Sequence, residues 1–145
     1  MNIKASLLLA LGLSVASFAA AADKTVAGPR GGRLLETTPQ QAEFFVTPER
    51  KAEIRFVDAA LKPVAPGNRV VTLIAEPASG RQPIALEKTA EGFASAQALP
   101  PGEPYRLVVQ VRETTDAKPQ NFRVMLNLAN CAECQHAEYA CTCGH

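Results

Sequence analysis

The chain has 145 residues, 47% of them hydrophobic and 20% charged, with 15 Lys and Arg against 14 Asp and Glu. That length suffices for one domain with its own core. The even, interspersed charge gives no basic footprint for nucleic acid or an anionic membrane surface, so neither is expected as a partner.

Residues 1–22 read as a signal peptide. Lys4 supplies a positive n-region, residues 5–18 form an apolar run, and Ala20-Ala21-Ala22 before Asp23 gives a small-residue cleavage site. The run is shorter than the roughly 20 apolar residues of a spanning helix. No cysteine follows it to accept a lipid. The expectation is a periplasmic or secreted protein with no stable membrane anchor after processing. Removing residues 1–22 takes only Lys4 from the charged set, leaving fourteen bases against fourteen acids.

Residues 23–41 form a lead-in rich in glycine and proline. Gly28, Gly31 and Gly32 surround Pro29, and "RLLE" then reads as a short edge strand. A glycine-rich run cradles phosphate when it joins a strand to a helix. No helical pattern follows here, so a structural turn is the better reading.

From residue 42 to residue 130 the apolar residues recur at every second position. Ala52, Ile54 and Phe56 alternate with Lys51, Glu53 and Arg55. Leu107, Val109 and Val111 alternate with Arg106, Gln110 and Arg112, and Phe122, Val124, Leu126 and Leu128 with Arg123, Met125 and Asn127. Side chains on a strand face opposite sides in turn, so this is the pattern of half-buried strands. "RVVTLIAE" is apolar on both faces, as a central strand would be, whereas "QPIALEK" and "GFASAQA" are weaker candidates. "TPER", "APGN", "PASG", "LPPGEP" and "TDAKP" interrupt the runs with turn residues. Such punctuated short strands predict an all-β chain: a single small Ig-like β-sandwich of about seven or eight strands. Glu43, Glu53, Asp58 and Glu76 fall mostly on the expected solvent faces.

"GPRGGRLLE", "AEFFV" and "IRFVDAALKPVAP" together resemble the small N-terminal β region of periplasmic adaptor proteins of heavy-metal efflux systems. The match spans residues 28–66. Arg30 stands where that family often has a histidine, and the family's long helical hairpin and lipoyl-like segments do not occur in this sequence. The resemblance implies a related small domain in a metal-handling setting, with a periplasmic protein of a metal-efflux system as its partner.

Residues 131–145 read "CAECQHAEYACTCGH" and hold all four cysteines and both histidines of the chain. Candidate metal ligands are Cys131, Cys134, Cys141, Cys143, His136 and His145. Thiolates bind soft or borderline ions, and Zn²⁺ takes four Cys or His donors tetrahedrally. A C-x₂-C turn brings two sulfurs together, and an extended "CTCGH" puts Cys141, Cys143 and His145 on one side. A continuous helix from Cys131 to Cys141 would separate them by roughly 15 Å and forbid a shared ion. A single helical turn between the pairs would allow one. Tyr139 reads as a packing residue over that turn.

Three chemistries compete for the tail. Zinc or copper(I) binding is favoured by the donor set. Disulfides are favoured by export, since thiols without a metal are oxidised in such a compartment, and four cysteines permit three connectivities. A redox pair Cys131–Cys134 trails, because no thioredoxin-like βαβ pattern surrounds it. With both histidines in the tail, no Ser-His-Asp arrangement can be built in the β body, and an enzyme is not expected. The sequence therefore reads as an exported β-domain that binds zinc or copper(I) for sequestration, delivery or efflux-related handling. The competing reading is an interaction module whose tail is closed by disulfides.

Overall fold

The computed structural model describes residues 24–144. Residues 1–23, which include the segment read as a signal peptide, and His145 lie outside them. The described residues form ten strands: β1 (Arg33–Leu35), β2 (Gln41–Val46), β3 (Ala52–Val57), β4 (Pro63–Val64), β5 (Val70–Glu76), β6 (Gln82–Ile84), β7 (Leu86–Lys88), β8 (Gly92–Ser95), β9 (Tyr105–Arg112) and β10 (Gln120–Leu126). One antiparallel sheet runs β1-β2-β3-β8-β7, with β4 also paired to β3; the second runs β10-β9-β5-β6. The chain is thus an all-β sandwich.

Alternation sets which residues the sheets bury between them. Ala42, Phe44, Ala52, Ile54 and Phe56 come from the first sheet; Leu73, Ala75, Leu107, Val109, Val111, Val124 and Leu126 come from the second. Burying one such side chain is worth roughly 1.5–3 kcal/mol, so this shared face dominates the fold. Phe93 of β8 meets Phe56 edge-on, with ring centroids 6.4 Å apart. Gly92 makes the β3–β8 approach possible, because a Cβ there would stand 2.0 Å from the carbonyl oxygen of Ile54.

Four details differ from the sequence reading. The strand number is higher because β1 and β4 are very short, and because "QPIALEK" is two strands that belong to different sheets. Its first half pairs with β5 and its second with β8, and Pro83, which lacks a ladder donor, sits on the edge strand β6. β5 does lie inside its sheet, between β9 and β6, but only Val71, Leu73 and Ala75 are buried; Thr72 is exposed. Phe122 is only half-buried, whereas Val124 and Leu126 beyond it are fully enclosed.

The fourth difference is Glu43, which is 1% exposed. Alternation correctly turns it away from the inter-sheet core, but the glycine loop closes over that face. The backbone N–H groups of Arg30 and Gly32 donate to Glu43 Oε1 at 2.9 and 3.0 Å. Gly28 and Gly32 are needed here: a Cβ on Gly28 would lie 2.4 Å from Glu43 Cδ, and one on Gly32 2.4 Å from the carbonyl oxygen of Phe44. The loop cradles a carboxyl group, and that group is the protein's own. Arg30 reaches outward from it to pair with Glu53 and to cover the Phe45 ring at 4.1 Å.

Candidate metal centre

The tail leaves β10 and folds back over the end of the sandwich. Asn130 and Ala137 form an isolated antiparallel bridge, Glu138 N–H donates to Ala129 O at 2.8 Å, and Tyr139 N–H donates to Asn127 O at 3.1 Å. Between the two cysteine pairs lies a single 3-10 turn, Glu138–Ala140, as the shared-ion geometry requires.

Tyr139 holds this arrangement to the body. Its ring stands edge-on to Phe44, with centroids 5.7 Å apart, and its hydroxyl accepts the N–H of Val46 at 3.0 Å. The β1–β2 ladder stops at the Arg33–Phe44 pair, so no β1 residue is paired with Val46. Tyr139 and Ala140 belong to the same core cluster as the strand residues. The sequence reading placed Tyr139 over the turn; the structure places it beneath, in the core.

The loop before the turn is wound tightly around the first pair. Cys131 N–H donates to His136 O at 2.8 Å, and Gln135 N–H donates to Cys131 O at 3.1 Å. Gln135 takes the left-handed conformation, with φ 61°, which reverses the chain directly after Cys134. After the turn, Cys141 N–H donates to Glu138 O at 3.2 Å, and Cys143 follows at the surface.

These turns bring the four sulfurs of Cys131, Cys134, Cys141 and Cys143 within 4.8 Å of one another. Cys131 and Cys143 are 3.8 Å apart, Cys134 and Cys141 3.6 Å, and Cys131 and Cys141 3.3 Å. A tetrahedron with Zn–S bonds of about 2.3 Å has edges of about 3.8 Å. A disulfide needs about 2.05 Å, so none of these pairs is bonded. The four positions fit the ligand shell of one tetrahedral ion.

Backbone amides surround the cluster unevenly. The N–H of Thr142, and after it that of His136, point at Cys134 and pull its thiol down to about 6. The N–H of Cys143 donates to Cys141 Sγ at 3.4 Å, but desolvation and the neighbouring Cys131 and Cys134 sulfurs outweigh it and the Cys141 thiol moves up. Cys143 is pushed up by desolvation first and then by hydrogen bonds to the other three sulfurs. Without an ion, one thiolate forms readily and discourages the next; a bound cation would favour all four thiolates together.

His136 does not join the cluster. The group that can share an ion consists of the four cysteines alone among the described residues, and the His136 ring lies instead against the glycine loop, its Nδ1 3.5 Å from where a Cβ of Gly31 would stand. His145 lies outside the described residues. What the sequence reading missed is this contact between the glycine loop and the tail; the spacing of two segments a hundred residues apart carries no signal for it.

No helix among the described residues is long and apolar enough to cross a membrane. No family model, curated protein or solved structure matches the chain.

Proposed function

We propose that the protein is an exported metal-handling β-domain that binds one Zn²⁺ ion through Cys131, Cys134, Cys141 and Cys143. The observation that carries this is the approach of all four sulfurs to within 4.8 Å of one another, with three of the pairs at 3.3–3.8 Å. Four thiolates in a tetrahedron suit zinc better than copper(I), although both ions accept sulfur; iron suits the same geometry. Four protein donors close the shell, so the ion serves binding and shape rather than hydrolysis, which needs an open position for water. Export is supported by the leader-like residues 1–22, and a role beside a metal-efflux system by the glycine element and its following strands. Within that setting, sequestration or delivery is the task that a closed, surface-placed thiolate site performs.

The test is metal uptake beside a thiol count. Reduced protein should take up one equivalent of Zn²⁺, and Co²⁺ in its place should show the sulfur-to-cobalt charge-transfer bands of a tetrathiolate. Protein recovered from the exported fraction should carry metal and four titratable thiols. Two disulfides in that fraction, with no uptake after reduction, would replace this reading by the disulfide-closed interaction module.

A further inference from the structure

The four ligands are held very differently, and the difference has a direction. Cys131 is 2% exposed, Cys134 and Cys141 are half-buried, and Cys143 is exposed. The backbone at Cys131 is fixed by the two bonds that close its loop, and at Cys141 by the bond to Glu138 O. The N–H of Cys143 is spent on Cys141 Sγ, so the hydrogen bond that holds its arm runs through the site itself. Two backbone amides face the Cys134 sulfur and one faces that of Cys141. The sulfurs of Cys131, Cys134 and Cys141 surround that of Cys143. Amide donors withdraw charge from the Cys134 and Cys141 sulfurs, and Cys143, the exposed residue of the four, is the one an incoming ligand or electrophile reaches first. Beyond it the space is open: Gly144 has φ 73°, and a side chain built there would meet nothing within 4 Å.

We propose that Cys143 is the exchangeable ligand of the cluster, through which the ion passes to or from an acceptor presenting thiolate sulfur. This rests on the zinc reading above and names how that site is loaded and emptied. In the step, an acceptor thiol gives up its proton as its sulfur bonds to the metal on the solvent side. The bond from the metal to Cys143 Sγ breaks, and the released thiolate takes the proton. One metal–sulfur bond replaces another, so charge and protons balance without an oxidant or reductant. Cys131, Cys134 and Cys141 keep the ion in place during the exchange, and loading runs in reverse.

The experiment uses the zinc-loaded chain. Zinc loss to a small dithiol should speed up in proportion to the dithiol concentration, while EDTA, which offers no sulfur, should draw zinc more slowly. Cys143→Ser should bind zinc more weakly than the parent and should surrender what it holds to the dithiol about tenfold faster, since the shell is already open. On the unaltered zinc-loaded chain, iodoacetamide should label Cys143 before any other cysteine, as peptide mass mapping would show; this readout needs no variant to fold. Zinc loss independent of the dithiol concentration, or first labelling at Cys131, would overturn the exchange role while leaving the metal site standing. Failure of the reduced parent to take up zinc would overturn the metal reading, and the exchange role with it.

Discussion

Replacing Tyr139 by Phe removes one oxygen atom from the molecule and nothing else. That oxygen accepts the backbone N–H of Val46 at 3.0 Å in a place where the β1 ladder has already ended. The ring contact with Phe44 is retained, so the lost term is the buried amide left without an acceptor. Such a group costs about 1–3 kcal/mol. Tyr139→Ala adds the loss of the ring itself from a residue only 5% exposed, and large aromatic truncations in a core cost about 3–5 kcal/mol. For a domain of this size, each kcal/mol moves the melting temperature by about 3–6 °C. Denaturant unfolding of the metal-free, reduced chain would measure both variants against the parent at unchanged m-value. A Tyr139→Phe variant as stable as the parent would refute the reasoning, because it would mean that Val46 finds water or that the tail does not dock in solution. A chain ending at Asn130 loses Tyr139 and Ala140 from the core and should melt below the parent even without metal.

Other expectations follow from single contacts. Glu43→Ala leaves the N–H groups of Arg30 and Gly32 without their acceptor and should cost about 1–3 kcal/mol for each, whereas Glu43→Gln keeps an oxygen in place and should cost less; chemical denaturation would rank them. Gly32→Ala should destabilise more than Gly67→Ala, since a Cβ at Gly32 meets backbone at 2.4 Å and one at Gly67 meets nothing, although Gly67 has φ 57°. Phe122→Ala should cost less than Phe56→Ala, because Phe122 is half-buried and Phe56 fully enclosed; melting curves would show the order. Zinc affinity should fall with pH, as protons compete for the thiolates. With the Cys134 thiol at about 6, zinc uptake near pH 7.5 should release about one proton fewer than near pH 5, which calorimetry in buffers of different ionisation heats would measure.

The architecture was legible in the sequence wherever one face of a strand is wet. In β3 and β9 the alternation named the buried residues correctly, and in β10 it did so for Val124 and Leu126, since charged or polar residues mark the other face. It failed where a second layer covers the outer face, because period two says which side a residue points to and not what lies there. Glu43 points away from the inter-sheet core, and only the fold brings the glycine loop over it. The crossing between sheets at Ala85 was hidden for a related reason: both halves of "QPIALEK" are strands, and a change of partner leaves no mark on the pattern. The cysteine spacing restricted the site to geometries in which the two pairs approach. It did not separate metal from disulfide, since both need that approach; the four sulfurs within 4.8 Å of one another are compatible with a shared ion. His136 was drawn into the ligand set by its neighbours in sequence, while its ring is turned to a loop that sequence distance kept out of view.

The position of Tyr139 between the two cysteine pairs links metal binding to folding. The ion would tie Cys131 and Cys134, which leave β10, to Cys141 and Cys143, which follow the 3-10 turn. The segment between those ties carries the aromatic ring that fills the end of the core and caps Val46. Undocking the ring would pull Cys141 away from Cys131, so the ion must bind the docked form more tightly than the undocked one. An ion present at a thousand times its dissociation constant would therefore add about 4 kcal/mol to the docked state. Linkage is reciprocal, so Tyr139→Ala, which touches no sulfur, should weaken zinc binding by as much as zinc stabilises Tyr139 docking. Competition titration with a chromophoric chelator would detect it. Equal affinity in the parent and Tyr139→Ala would mean that the four cysteines form their shell on an undocked tail, and that the metal and the core are independent.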